Sequence, residues 1–352
     1  MANPAPNRSP VFESLNAQLS PGSVREYEDE FYKPRPQGFW YHDGSVWTEV
    51  SATSTTPRKT TSQAEIQPQI IRLCSWNIDL LVGLIEERMA AALAYLCDLI
   101  SSSPLDIPIV IFFQEMGDSD LQQIREASWI QERFFITDFD ERNWLSPFMG
   151  TTTLIDRRLK PVHVFRVAWY SEFDRDGLFV DISLTRSPSV QNEENGKVLR
   201  LCNVHLESLV ADPPIRPLQL SEASKYLHEE NVAAALLAGD LNAIQPFDRI
   251  LHSNNSLKDA YLELGGKEDS DDGYTWGYQV PQHIRERFGC SRMDKILYKG
   301  EIEAKAFERI GMGVKVEESV RERCREEGEQ EWVSDHYGVM GDFEHLGGWK
   351  LG

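Results

Sequence analysis

Between Ile70 and Phe343 the chain alternates apolar runs of strand length with stretches of helical periodicity, which restricts it to an α/β architecture. "IIRLCSWNID" reads as a strand, Leu81 to Ile100 as a helix with Met89, Leu93, Leu96, Cys97 and Ile100 on one stripe, and "IPIVIFFQE" as a buried strand. A helix is expected from Leu121, with Ser119 and Gln122 at capping-box spacing. Then come the strand "KVLRLCNVHLES", a helix over roughly Pro217 to Glu229, the strand "VAAALLAGDLN", and two short β segments, "SRMDKILY" and "SDHYGVMGDF".

The apolar runs end in, or begin from, groups able to do chemistry: Asn77, Glu115, His205 with Ser208, Asp240 with Asn242, and Asp335 with His336. Any one has an ordinary explanation. Glu115 suits a helix N-terminus, "GDLN" suits a turn, and His205 suits a core histidine bonded to a carbonyl. Those explanations must hold independently at every strand, whereas a ligand site at the strand ends of an α/β sheet accounts for all of them at once.

Composition narrows the chemistry. A formal charge of −20 argues against a charge-driven grip on long nucleic acid, although a local basic track or a metal can still serve a phosphate substrate. Five scattered cysteines without a CxxC pair signal neither a disulfide framework nor a structural zinc site, and Cys74, Cys97 and Cys202 read as small core residues. The start lacks an apolar signal region, and no run reaches membrane-spanning length. An intracellular protein in nucleus or cytoplasm, monomeric and without a membrane partner, is therefore expected. GxSxG, Walker and GxGxxG motifs are missing, so acyl transfer, nucleotide-triphosphate motors and hydride transfer lack their parts. What remains suits metal-assisted phosphoester hydrolysis. Glu115, Asn77 and Asp335 are candidate oxygen ligands for Mg²⁺, with Mn²⁺ as a substitute. Asp240 is a candidate base, Asn242, His205 and Ser208 are donors to phosphoryl oxygens, and His336 is an imidazolium with Asp294 as its carboxylate partner.

In this order, "SWN", "FFQE", "VHLES", "AGDLN", "RMDKI" and "VSDHYG" resemble the endonuclease/exonuclease/phosphatase superfamily over most of Ile70 to Phe343. That resemblance implies a four-layer α/β sandwich, two packed mixed sheets flanked by helices. Within it the chain is most similar to the tyrosyl-DNA phosphodiesterase branch, which cleaves 5′-phosphotyrosyl bonds to DNA in the repair of trapped topoisomerase adducts. By that likeness Ser208, Arg216, Tyr274, Trp276, Arg292 and Met293 would meet the substrate. The branch carries Arg where this chain has Ile244, so that contact is either missing or supplied by Arg157, Arg158 or Arg292, with Arg157 and Arg158 read rather as a solvated turn. Other phosphoesterases of the superfamily (abasic endonuclease, deadenylase, sphingomyelinase, phosphoinositide phosphatase) and a non-catalytic scaffold are the rival readings.

Residues 1–68 are read as a largely disordered extension of unknown partner, and residues 69–347 as the catalytic domain. Within the extension, "GFWYHDGSVWTEV" suits a hairpin around Asp43-Gly44, and "SATSTTPRKTTSQ" a flexible linker. The acidic stretches "GGKEDSDDG" and "VEESVRERCREEGEQEW" are read as solvated loops.

Overall fold

A computed structural model describes residues 31–52, 69–186 and 196–351. The expected disorder of the extension, and most of its linker, therefore fall outside the described residues. In the first half the strands are Pro34–Pro36 (β1), Phe39–His42 (β2), Trp47–Val50 (β3), Ile70–Asn77 (β4), Ile109–Met116 (β5), Phe134–Ile136 (β6), Gly150–Asp156 (β7) and Pro161–Ala168 (β8). The second half adds Asp176–Arg186 (β9), Val198–His205 (β10), Val232–Asp240 (β11), Lys258–Asp259 (β12), Asp294–Gly300 (β13), Ile302–Ile310 (β14), Gly338–His345 (β15) and Trp349–Leu351 (β16).

They form two sheets. One runs β1-β8-β9-β10-β11-β13-β12 with β16 beside β9, the other β14-β15-β4-β5-β7-β6-β2-β3. Each holds one parallel pair, β10 with β11 and β4 with β5, among antiparallel neighbours. The two mixed sheets pack face to face, and helices cover their outer sides, so the chain is an α/β sandwich of four layers.

Strand alternation explains the layering. Leu199 and Leu201 of β10 with Ala234, Leu236 and Ala238 of β11 face Ile71, Leu73, Val110 and Phe112 between the sheets. The intervening Cys202, Val204, Ala235 and Leu237 face outward onto Leu220, Ala223 and Leu227 of the helix Arg216–Leu227. On the other side, Cys74, Trp76, Ile111 and Phe113 meet Met89, Leu93, Leu96 and Ile100 of the helix Ile85–Ser102. Each fully buried Leu or Phe in these layers contributes about 1.5–3 kcal/mol. Near the strand ends the sheets are tied by a polar bridge: Gln114 donates to Asn203 Oδ1 (2.8 Å), and Asn203 donates to the Thr152 carbonyl (3.0 Å).

Several local expectations change. The first helix begins at Ile85, because Leu84 before it is left-handed (φ 61°). The second helix, Asp118–Glu126, starts earlier than expected, and its cap is not Ser119 with Gln122: the Gly117 N–H donates to Asp120 Oδ2 (2.7 Å). "VEESVRERCREEGEQEW" contains a helix, Glu318–Glu327, which buries Cys324. "GGKEDSDDG" is anchored rather than freely solvated, through Glu268 to Arg292 and to Lys295 Nζ (3.1 Å). All five cysteines are free, with Cys74 and Cys202 buried and Cys97 only partly so. No described helix is long and apolar enough to cross a membrane. The hairpin at Asp43-Gly44 is present: β2 pairs with β3, and Asp43 Oδ1 accepts from the Ser45 and Val46 N–H groups (2.8 and 2.9 Å).

His345, at the end of β15, carries a stability prediction. It is 6% exposed and neither ring nitrogen has a hydrogen-bond partner, so burial pushes it down to about 4 from 6.5. A depressed pKa means that the unfolded chain takes up the proton first. The associated stability is complete above about pH 6.5 and is lost as pH falls toward 4, by about 3 kcal/mol in total. Urea unfolding of His345→Leu at pH 7.5 and 4.5 should show a correspondingly smaller loss than wild type; equal losses would rule the assignment out.

Candidate active site

The two parallel pairs bring four strand ends to one side of the sandwich. In β11 the inward phase of Ala234, Leu236 and Ala238 continues to Asp240, and in β10 that of Leu199, Leu201 and Asn203 continues to His205. Asn77 ends the inward phase of Ile71, Leu73 and Ser75 in β4. Gly239 allows the closest approach of β10 and β11. At its φ of 148° an added Cβ would lie 1.8 Å from the Val204 carbonyl oxygen, so no larger residue fits before Asp240.

Glu115 arrives differently. On strict alternation it would face the helix layer, since Gln114 before it points inward. A register shift between Phe113 and Met116 and a left-handed backbone at Glu115 (φ 55°) turn it back toward the site. There its Oε1 accepts from Asn77 Nδ2 (3.0 Å).

At the centre is Asp240, 1% exposed. Its Oδ1 accepts the Asn242 N–H (2.8 Å) and its Oδ2 accepts Asn77 Nδ2 (3.1 Å). His205 Nε2 lies 3.5 Å from Oδ2, and His336 Nε2 lies 3.7 Å from the same oxygen. Burial, reinforced by Asp294 and opposed by His336 and the two amides, raises Asp240 to about 6. His336 is held by Asp294 Oδ2 at 2.8 Å from its Nδ1. Burial alone would lower His336, but the Asp294, Asp240 and Asp335 carboxylates hold it well above its ordinary value. His205 goes the opposite way: burial, then the charges of Arg175 and His336, keep it well below 6.5. The two imidazoles are thus driven in opposite directions, His205 toward the neutral form and His336 toward the cation, beside the same carboxylate oxygen.

Arg175, just before β9, is a site residue that sequence reasoning missed. Its guanidinium lies 2.9 Å from His205 Nδ1 and donates to Ser208 Oγ (2.8 Å), and its Nε is buried without a partner. Asn242 donates to the Leu206 carbonyl (3.0 Å) and lies 3.3 Å from Ser208 Oγ. Asp79 was also passed over, although it stands in the quoted "SWNID". Burial, then Asp335, then Glu115, raise its carboxyl well above the usual range, and burial followed by Asp335 raises Glu115 too.

The other expected residues divide. Trp276 is at the site, its Nε1 donating to Asp335 Oδ2 (2.7 Å). Thr275 Oγ1 accepts the Met293 and Asp294 N–H groups (3.1 and 3.0 Å), which ties the Tyr274–Trp276 segment to β13. Met293 is buried and Tyr274 half-buried. Asn77 links two carboxylates instead of offering an oxygen: its Oδ1 accepts the Asp79 N–H (2.9 Å), which fixes the amide with Nδ2 toward Glu115 and Asp240. Arg292 is a correction as a substrate contact, because it is 3% exposed and committed to Asp259 (2.8 Å) and Glu268. Arg216 is likewise committed, to Asp248 (2.8 Å), Gln245 (3.0 Å) and the Glu207 and Leu209 carbonyls. Arg158 binds Asp156 and Arg157 donates to the His42 carbonyl (2.6 Å), so both support the fold.

A divalent cation suits this donor set. Asp335 lies close enough to push up both Asp79 and Glu115, which marks carboxylates crowded together in a buried site. Ligand atoms of Glu115, His205 and Asp240 lie within 4.8 Å of one another, as do those of Asp240, Asp294 and His336. A set rich in carboxylate oxygens and without sulfur favours Mg²⁺ or Mn²⁺ over soft metals.

Comparison with known proteins identifies the fold. The model of the endonuclease/exonuclease/phosphatase family matches residues 74–336. Among solved structures, truncated TDP2 from Caenorhabditis elegans superposes with a TM-score of 0.58 at 19% identity, covering 80% of this chain and 99% of that one. D. rerio TDP2, humanized by 14 mutations, gives 0.57 at 18%, covering 78% and 99%. The human Nocturnin catalytic domain gives 0.54 at 16%, covering 79% and 96%. At such identities these likenesses establish the shared fold. No curated protein matches the chain.

Proposed function

The chain belongs to the endonuclease/exonuclease/phosphatase family, hydrolases of phosphoester bonds, and from that premise we propose that it is a Mg²⁺-dependent phosphodiesterase cleaving 5′-phosphotyrosyl bonds to DNA. The observation that carries the reading is the meeting of Asp240, His205, His336–Asp294, Glu115 and Arg175 at converging strand ends.

In this reading Asp240 orients and deprotonates the attacking water, aided by a pKa raised by burial toward the working pH. Asn242, Ser208 and neutral His205 donate to phosphoryl oxygens, and the His336 imidazolium offsets charge growing there. Asp294 holds the His336 ring and tautomer. Arg175, its Nε free of protein partners, takes the phosphate contact that Ile244 cannot make. Glu115, with Asp335 and Asp79 nearby, would hold Mg²⁺, and Asn77 spaces Glu115 from Asp240. The bound ion supplies Lewis-acid polarisation and a template for the phosphate.

Two arguments favour an aryl ester of DNA. A tyrosine phenolate, with a pKa of ~10, leaves without the proton that an alkoxide needs. D. rerio TDP2, of the same fold, has been crystallised with a single-strand DNA product. A DNA substrate would also make the nucleus the place of action, with Trp276, Met293 and Tyr274 beside the terminal nucleotide.

The deciding assay sets a 5′-phosphotyrosyl oligonucleotide beside abasic duplex, poly(A), sphingomyelin and a phosphoinositide, each with Mg²⁺ and with EDTA. The phosphotyrosyl substrate should give a kcat/KM at least about tenfold above the rest, lost in EDTA. A faster rival substrate moves the protein to another branch, and turnover of none revives a non-catalytic scaffold.

A further inference from the structure

The segment that precedes the family-matched span crosses both sheets. β1 pairs with β8 in one sheet (Pro34↔Val167, Arg35↔Arg166), and a few residues later β2 joins the other through β6 (Trp40↔Ile136). Gln37 lies at the crossing, 7% exposed, with its side chain turned inward. Its Nε2 donates to the Thr137 carbonyl (2.8 Å), and its Oε1 accepts from Arg166 Nε (3.0 Å).

Arg166 is buried and every nitrogen of its guanidinium is engaged. Nη1 donates to Thr151 Oγ1 (3.1 Å) and to Asp176 (3.2 Å), and Nη2 donates to Asp138 (3.0 Å) and the Thr151 carbonyl (2.7 Å). The remaining donor, Nε–H, is the one that Gln37 takes. Thr151 and Asp176 belong to the two segments that flank Arg175. Met149, two residues before Thr151, meets Arg175 Nη1 through Sδ at 3.7 Å, and Asp176 follows Arg175 directly. Arg166, Arg175, Asp176 and His205 line one cavity at the edge of the site.

We propose that Gln37 is a positioning residue for the reaction: through Arg166 it holds the segments that aim Arg175 at His205 and Ser208. Residues 34–50 are then a working part of the active site, contributed from outside the family-matched span. Without Gln37 the Arg166 Nε–H is buried and unpaired, and Arg166 must shift to find an acceptor, loosening Thr151 or Asp176. This rests on the reading of Arg175 as a phosphate contact.

The test uses the full chain with Gln37→Met, which keeps the volume and removes the side-chain hydrogen bonds to Thr137, Asp138 and Arg166. In its crystal structure the Arg175 head should leave His205 Nδ1 and Ser208 Oγ; an unmoved Arg175 overturns the proposal whatever the activity. On the phosphotyrosyl oligonucleotide kcat should drop about tenfold with KM little changed, as for a contact made in the transition state. In an Arg175→Ala background Gln37→Met should then have no further effect, because the two act on one contact. Equal losses in both backgrounds would show a general structural role and overturn it. If Gln37→Met does not fold, Gln37→Asn keeps the amide but cannot reach Arg166. Should the wild type turn over no phosphoester, only the functional reading fails, and the crystallographic arm still decides the Gln37 link.

Discussion

Asp240→Asn should lower kcat by about a thousandfold or more while the protein stays folded. A positioned general base contributes ~10²–10⁴ to rate, and Asp240 also anchors the geometry around His205 and His336. Asparagine can keep the bond from the Asn242 N–H, but it sets an NH₂ group against Asn77 Nδ2. That donor-to-donor contact costs about 1–3 kcal/mol. Against it, the fold penalises the charged Asp240, as its pKa of about 6 records, and the substitution removes that penalty. The two effects oppose each other, so Tm should stay within a few degrees of wild type. Activity within tenfold of wild type would sink the assignment of Asp240. A collapse in Tm would show a structural role instead.

Glu115→Gln should be as damaging to turnover for a different reason. Glutamine preserves the shape and can still accept from Asn77 Nδ2 through its Oε1, so the bulge that aims residue 115 survives. What disappears is a buried carboxylate, itself raised by burial and Asp335, that also pushes up Asp79, which relieves repulsion in the free protein. Stability should hold or rise slightly, as when a strained active-site charge is removed. The loss should fall on the cation: turnover at least about a hundredfold down, and a Mg²⁺ titration of activity shifted to higher concentration. Activity within tenfold, with an unchanged Mg²⁺ midpoint, would exclude Glu115 as a ligand. Direct titration with Mn²⁺, followed by its EPR signal, separates lost binding from lost chemistry.

These two residues also show how much of the site was legible beforehand. Asp240, His205 and Asn77 close apolar runs that are plain in the sequence, but those strands are apolar on both faces, and only the packed sheets show that all three continue the phase facing between them. Glu115 was chosen correctly as a strand-end group, yet its own phase points the wrong way. The bulge that corrects it leaves no mark in "VIFFQEM" that a period-two reading detects. The arginines were harder still. Arg292 and Arg216 stood next to quoted motifs, but Asp259 with Glu268 and Asp248 with Gln245 hold them. Arg175 sits in "SEFDRDGLFV", a polar turn before a strand, where nothing separates it from a solvated residue.

The division has a physical basis. Apolar runs, helical stripes and motif order are local properties, so the sequence by itself determined the α/β class, the strand-end placing of Asp240, His205 and Asn77, and the family order of the motifs. A guanidinium is long and finds its acceptors across the fold, so its role depends on which carboxylates arrive nearby from distant segments. Tertiary structure alone decided that Arg175 faces the site, that Arg292 does not, and that Gln37 reaches Arg166 across 129 residues of chain.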